Sequence, residues 1–119
     1  MNSIIKSFLV FMITLLSFNF SEAQIKNTKV VSVKVYGNCG MCKKTIEKAA
    51  LVKDLSMAEW NVDTKMAKIT FDSTRMSADE VLKRIAAAGY DSDTFRADDK
   101  AYSNLHKCCQ FERPAKKSN

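Results

Sequence analysis

The spacing of apolar residues divides the central part of the chain into short elements. Residues 29–36 have the sequence KVVSVKVY. Val31, Val33 and Val35 lie on one face and Val30, Ser32 and Lys34 on the other, which predicts a half-buried strand. From Met41 the apolar residues follow helical spacing instead, which predicts a first helix. The segments LSMAEWNV and MAKITFD alternate again on either side of the turn DTK, so they predict a β-hairpin.

A second helix has recognisable signals at both ends. Ser77 and Glu80 match a capping box, and Gly89 suits the left-handed position that follows a helix. After this helix, the segment from Tyr90 to Phe95 predicts a weaker fourth strand. The order strand, helix, strand, strand, helix, strand predicts an α+β, ferredoxin-like βαββαβ sandwich. In that fold a four-stranded antiparallel sheet carries both helices on one face.

The two ends of the chain differ from this central block. Lys6, an apolar run over residues 8–18 and small residues up to Ala23 are typical of a secretory signal peptide. The run is shorter than the about 20 apolar residues of a membrane span, although an uncleaved anchor is the alternative. The predicted organisation is a signal peptide over 1–23, a short lead over 24–28, a compact domain over 29–96 and a C-terminal extension over 97–119. We therefore expect a periplasmic or secreted protein, with no stable membrane insertion after cleavage.

The charge and composition of the chain bear on whether it binds nucleic acid or acts as an enzyme. There are 19 Lys and Arg against 13 Asp and Glu, a formal net charge of +6. A basic protein suits nucleic acid or an anionic surface, but these lysines are scattered and export would separate the protein from nucleic acid. We expect no nucleic-acid partner. With one histidine, no phosphate-binding loop and no cluster of inward carboxylates, the chain is not predicted to be an enzyme.

Two cysteines, Cys39 and Cys42, lie where the loop after the first strand enters the first helix. Thiolates at this spacing can converge on one ion, and soft sulfur selects Cu(I), Zn(II) or another thiophilic metal. The helix amino terminus and the neighbouring Lys43 and Lys44 favour thiolate over thiol. Two ligands suffice for linear or trigonal Cu(I) but not for tetrahedral zinc, so the predicted site is open.

The C-terminal extension carries a second group of ligand types, in LHKCCQFERP. His106, Cys108 and Cys109 could complete the first site to the tetrahedral set that zinc prefers, form a separate soft-metal site, or cross-link to the first pair. A disulfide between adjacent residues is the least expected, because its geometry is strained. Met41, between the first two cysteines, is an optional thioether ligand.

The C-x-x-C pair leaves other functions open. It also occurs in thiol-disulfide redox proteins, and a plain structural disulfide has the same spacing. Thioredoxin-like enzymes have a proline facing the pair, whereas the only proline here is Pro114 near the end of the chain. Soft-metal binding is therefore preferred over a redox protein. A structural zinc-binding domain that uses the C-terminal cysteines is the third hypothesis.

Three segments, NCGMCKKTIEKA, LSMAEWNVDTKMAKITFD and LKRIAAAGYDS, together resemble the heavy-metal-associated domain of small copper chaperones, metal-ATPase amino-terminal modules and the periplasmic mercury-binding protein. The resemblance covers about residues 29–95. It implies that Cys39 and Cys42 bind a soft metal, with Cu(I) preferred and Zn(II), Hg(II) or another soft ion as alternatives. It also implies a metal-transporting ATPase or another metal-binding protein as partner, and a shielding position beside the ion for Tyr90.

The chain departs from this family just before the first cysteine. Family members usually have glycine and methionine three and two positions before it, where this sequence has Tyr36 and Gly37. The ligand spacing is intact, so the expected change lies in how the loop packs.

Overall fold

Three antiparallel strands form the sheet in the computed structural model, which describes residues 24–116. Along the chain they are β1 (Thr28–Lys34), β2 (Ser56–Trp60) and β3 (Met66–Asp72), and β3 lies in the middle of the sheet. In the register, Ile69 of β3 faces Val31 of β1 on one side and Ala58 of β2 on the other. Since opposite residues share a face of the sheet, these apolar side chains lie on the same face.

Two helices cover that face, α1 (Gly40–Ala50) and α2 (Ala78–Ala87). Their buried residues recur at helical spacing and join the sheet residues in one core. The buried positions are Cys42, Ile46 and Ala50 of α1 and Val81, Leu82 and Ile85 of α2. The predicted α+β arrangement with both helices on one face is therefore confirmed. None of the helices within residues 24–116 reaches the length and hydropathy of a membrane span.

The ends of α2 follow the sequence signals. The Ser77 hydroxyl accepts a hydrogen bond of 3.2 Å from the Glu80 amide, which satisfies one of the free donors of the first turn. Gly89 has a φ of 107°, in the left-handed region. A Cβ at this position would also meet the Ala101 carbonyl oxygen at 2.8 Å, so the later part of the chain passes close over the end of α2.

The predicted fourth strand does not form, because residues 90–95 turn back on themselves. The described sheet has three strands, and this segment contributes only an isolated bridge between Val35 and Ser92. The Ser92 amide donates to the Phe95 carbonyl at 2.8 Å, and the Phe95 amide donates to the Ser92 hydroxyl at 3.0 Å. Pairing with the end of β1 is limited to two backbone hydrogen bonds, from the Tyr36 amide to the Asp91 carbonyl and from the Asp93 amide to the Lys34 carbonyl. The local hydrogen bonds then use the Phe95 groups that a continuing strand would offer next.

The C-terminal extension packs across the domain. It contains α3 (Asp99–Ser103) and a 3₁₀ turn (Lys107–Cys109). Beyond the turn, Phe111 is only 3% exposed and its ring stacks against Tyr36 and Tyr90, at centroid distances of 6.4 and 6.0 Å. Tyr102 meets the same ring edge-on at 5.1 Å. Aromatic pairs in these geometries contribute beyond their buried area, so Phe111 holds the extension in place.

A buried ion pair fixes the end of the extension. Arg113 donates to both carboxylate oxygens of Asp91, at 2.8 and 2.9 Å, and to the Ala97 carbonyl at 2.7 Å. Asp91 is completely buried, and Asp99 accepts a further bond from the same guanidinium. The hydrogen bonds that Arg113 donates to Asp91 raise the pKa of Arg113, so the guanidinium stays charged.

Replacing Arg113 with alanine should destabilise the protein strongly, because it leaves the Asp91 carboxylate buried without its partner. Breaking one side of a buried pair costs about 3–5 kcal/mol. Urea unfolding of the reduced protein measures the difference. Lys116→Ala is the matched control, since its ammonium is exposed and lies 3.9 Å from Asp99, and it should change little. Equal stabilities of the two variants would show that this ion pair does not hold the extension.

Candidate metal centre

The first cysteine pair lies at the amino end of α1. Cys39 is the N-cap residue, with an extended backbone, and its Sγ is 3.9 Å from that of Cys42. Cys39 is partly exposed, whereas Cys42 is completely buried against the core. The Cys39 sulfur can therefore be reached from solvent, whereas the Cys42 sulfur is buried in the core.

Close packing under the loop explains its unusual sequence. A Cβ on Gly37 would lie 3.0 Å from the Trp60 ring and 3.3 Å from the Cys42 Cβ. Trp60 is itself fixed, because its indole N–H donates to the Val35 carbonyl at 2.8 Å. A methionine at this position, as is usual in the family, would require the ring to move.

The amino end of α1 favours the thiolate of Cys39. Hydrogen bonds from the backbone amides of Cys42 and Met41 lower the pKa of the Cys39 thiol, and the thiols of Cys42 and Cys108 add to this. The Asn38 amide also donates to the Cys42 sulfur at 3.4 Å. The expected effect of the helix terminus is therefore present.

Neither of the two lysines next to the pair is among the causes that lower the pKa of Cys39. The Lys43 ammonium binds the Glu47 carboxylate at 2.5 Å and the Trp60 carbonyl at 2.9 Å. Lys44 is exposed on the surface of α1. Backbone amides, rather than these side-chain charges, are the main influence on Cys39.

The 3₁₀ turn of the extension brings two more thiols to the first pair. The Sγ atoms of Cys39, Cys108 and Cys109 all lie within 4.8 Å of one another, and Cys108 and Cys109 are 4.0 Å apart. The Cys108 thiol also donates to the Met41 sulfur at 3.7 Å, and the Asn38 side chain donates to the Cys108 carbonyl at 3.2 Å. We call Cys39, Cys42, Cys108 and Cys109 the thiol cluster.

The thiols of the extension differ in exposure. Cys108 is exposed, whereas Cys109 is 1% exposed. Burial, together with the hydrogen-bonding contact with Cys42, raises the pKa of Cys109 to about 12. The thiol cluster therefore has an accessible side, with Cys39 and Cys108, and a buried side, with Cys42 and Cys109.

The remaining candidate residues divide between the core and the surface. Tyr90 is buried and contacts the Cys109 thiol, on the buried side of the thiol cluster. Desolvation and this contact raise the pKa of Tyr90. His106 is exposed and directly precedes the 3₁₀ turn, outside the group of three sulfurs that the described residues form.

Sequence reasoning missed two residues that shape the site. Asn38 contacts both cysteine pairs: its backbone amide donates to the Cys42 sulfur, and its side chain donates to the Cys108 carbonyl. An asparagine in a loop gives no sequence signal of such contacts. Phe111 had a weak signal, since it is the apolar residue of the polar segment QFER. Its burial is what brings the 3₁₀ turn to the loop.

Thiol labelling tests this arrangement. In the reduced protein, maleimide should modify Cys39 and Cys108 much faster than Cys42 and Cys109, because reaction requires an accessible thiolate. Peptide mass spectrometry over a time course gives the four rates, and labelling in urea provides the control in which they should become similar. Fast labelling of Cys109 in the folded protein would contradict the packing described here.

Comparison with known proteins places the chain in a family. No protein-family model matches it. It is 34% identical over 67 residues to the mercuric transport protein periplasmic component of Pseudomonas aeruginosa, a match that covers 55% of this chain and 74% of that protein. The structure of the CopZ metallochaperone has the same fold, with a TM-score of 0.50 and 24% identity over 54% of this chain and 98% of that one. The chain belongs to the heavy-metal-associated domain family.

Proposed function

We propose that the protein binds a soft metal ion through Cys39 and Cys42 and passes it on by ligand exchange, as a copper chaperone-like or metal-scavenging protein. The separation of the two sulfurs, 3.9 Å at the amino end of α1, is the observation that carries this proposal. Two sulfurs bound at about 2.3 Å to one ion in a trigonal arrangement lie about 4 Å apart. The pair therefore needs little movement to bind an ion.

Cu(I) is the preferred ion, with Hg(II) and Zn(II) as alternatives. Thiolates favour soft ions, and the relatives are named for mercuric transport and as a metallochaperone. The lowered pKa of Cys39 reduces competition from protons, which benefits any of these ions. Cu(I) accepts two or three sulfur ligands, so a site at a loop with one accessible thiol suits it.

Ligand exchange would transfer the ion without any redox or covalent step. A thiolate of the partner binds the exposed ion to give a three-coordinate intermediate, and Cys39 then dissociates as the second partner thiolate binds. Cys39 is the natural first contact, because Cys42 is buried. The proposed partner is a metal-transporting ATPase or another metal-binding protein.

Charge would help to orient this partner. Lys44 and Lys48 are both exposed on α1 and would attract an acidic face, whereas Lys43 is already paired with Glu47. Such rim charges affect the association rate more than the affinity.

Export is a further part of the proposal. The predicted signal peptide, residues 1–23, lies outside the described residues. The named relative is a periplasmic component, which supports a periplasmic or secreted location for this chain.

A structural zinc domain is the second candidate, because Cys108 and Cys109 lie beside Cys39. A closed zinc site contributes folding free energy, so a chain of that kind unfolds when the metal is removed. Under our proposal the metal-free, reduced protein stays folded, since the core around Ile69 and Trp60 consists mainly of apolar side chains rather than metal ligands. Circular dichroism and thermal unfolding after chelation distinguish the two. Loss of cooperative unfolding would favour the zinc domain.

Metal titration tests the proposed site. The reduced protein is titrated with Cu(I) against a competing chelator, and the Cys39→Ala, Cys42→Ala double variant should bind at least about 100-fold more weakly. This bound is reasonable because the loss of residues that only support ligands already costs about 10–100-fold. Ser32→Ala, at an exposed position of β1, is the control and should bind like the unchanged protein. Unchanged affinity in the double variant would refute the site.

A further inference from the structure

The C-terminal extension changes the number of sulfurs available to a bound ion. Three of them, on Cys39, Cys108 and Cys109, lie within 4.8 Å of one another, and Cys42 joins the group at 3.9 Å from Cys39. Three sulfurs around one ion, at about 2.3 Å from it, lie about 4 Å apart. We propose that Cys108 and Cys109 are ligands of the same ion, so that at least three sulfurs surround it. This inference rests on the proposed function.

Contacts that do not involve the sulfur atoms hold the thiols of the extension in place. Phe111 is buried between Tyr36 and Tyr90, and the Tyr102 hydroxyl donates to the Phe111 carbonyl at 2.6 Å. On the other side of the turn, the Asn38 side chain binds the Cys108 carbonyl. Ligands that are already positioned lose little conformational entropy on binding, which favours their use.

Packing alone does not account for both thiols. Cysteine is often buried as a small apolar residue, which would explain Cys109. It does not explain Cys108, which is exposed and yet lies within 4.8 Å of two other thiols and 3.7 Å from the Met41 sulfur. A disulfide between Cys108 and Cys109 is also a poor explanation, because adjacent residues strain the bond and these sulfurs are 4.0 Å apart.

A third sulfur affects how the ion is released. A site in which the thiols of the extension join Cys39 and Cys42 around the ion retains it more strongly than the two-sulfur loop alone would. Cys108 is the exposed member of the added pair and would be the first ligand that an incoming thiolate displaces. Each incoming thiolate displaces one thiolate from the ion, so the exchange requires no oxidant or reductant.

X-ray absorption at the copper edge counts the sulfurs directly. The reduced, full-length mature protein with one equivalent of Cu(I) should show at least three sulfur neighbours. The Cys108→Ser, Cys109→Ser double variant should show two, with at least about tenfold weaker binding, equivalent to about 1.4 kcal/mol. Lys107→Ala, at an exposed position of the same 3₁₀ turn, is the matched control and should keep the full number of sulfurs.

A measurement on the unchanged sequence covers the case in which the double variant fails to fold. One equivalent of Cu(I) should block maleimide labelling of Cys108 as well as of Cys39, both of which are accessible without metal. If Cu(I) binds with two sulfurs and Cys108 is still labelled, the inference is wrong and the proposed function stands. If Cu(I) does not bind, or binds equally without Cys39 and Cys42, both are wrong.

Discussion

The burial of Phe111 is the interaction on which the arrangement of the thiols depends. Its ring lies between Tyr36 and Tyr90 and against Tyr102, and it holds the 3₁₀ turn over the loop that precedes α1. Arg113 secures the chain just beyond it through the buried Asp91 carboxylate. The two halves of the thiol cluster are about 70 residues apart in sequence, so their meeting depends on such long-range packing.

The same packing explains why the loop departs from its family. Tyr36 takes a position that usually holds glycine, and here its ring stacks on Phe111 while its hydroxyl donates to Asp93 at 3.0 Å. Gly37 takes the position of the usual methionine and lies against the Trp60 ring. The loop thus gives up an apolar side chain near the metal site and gains a surface for the extension. The nearest thioether to Cys108 is instead Met41, on the first turn of α1.

Local patterns predicted those parts of the structure that local forces determine. Alternation around Ile69 located the hairpin, and Ser77 marked the start of α2, because burial and capping act over a few residues. The prediction of a fourth strand was wrong, because the turn from Ser92 to Phe95 competes with pairing to β1. The convergence of Cys108 on Cys39 could be named as an alternative but not chosen, since it depends on contacts of Phe111 that are distant in sequence.

The central proposal is that the thiols of this protein hold a soft metal ion. Metal content and free-thiol count, measured together on the protein purified without added reductant, test it most directly. We expect one soft metal ion per chain and four reduced cysteines, of which the accessible Cys39 and Cys108 are shielded from labelling until the ion is removed. A metal-free protein whose cysteines are joined in disulfides, and which binds no Cu(I) after reduction, would contradict it.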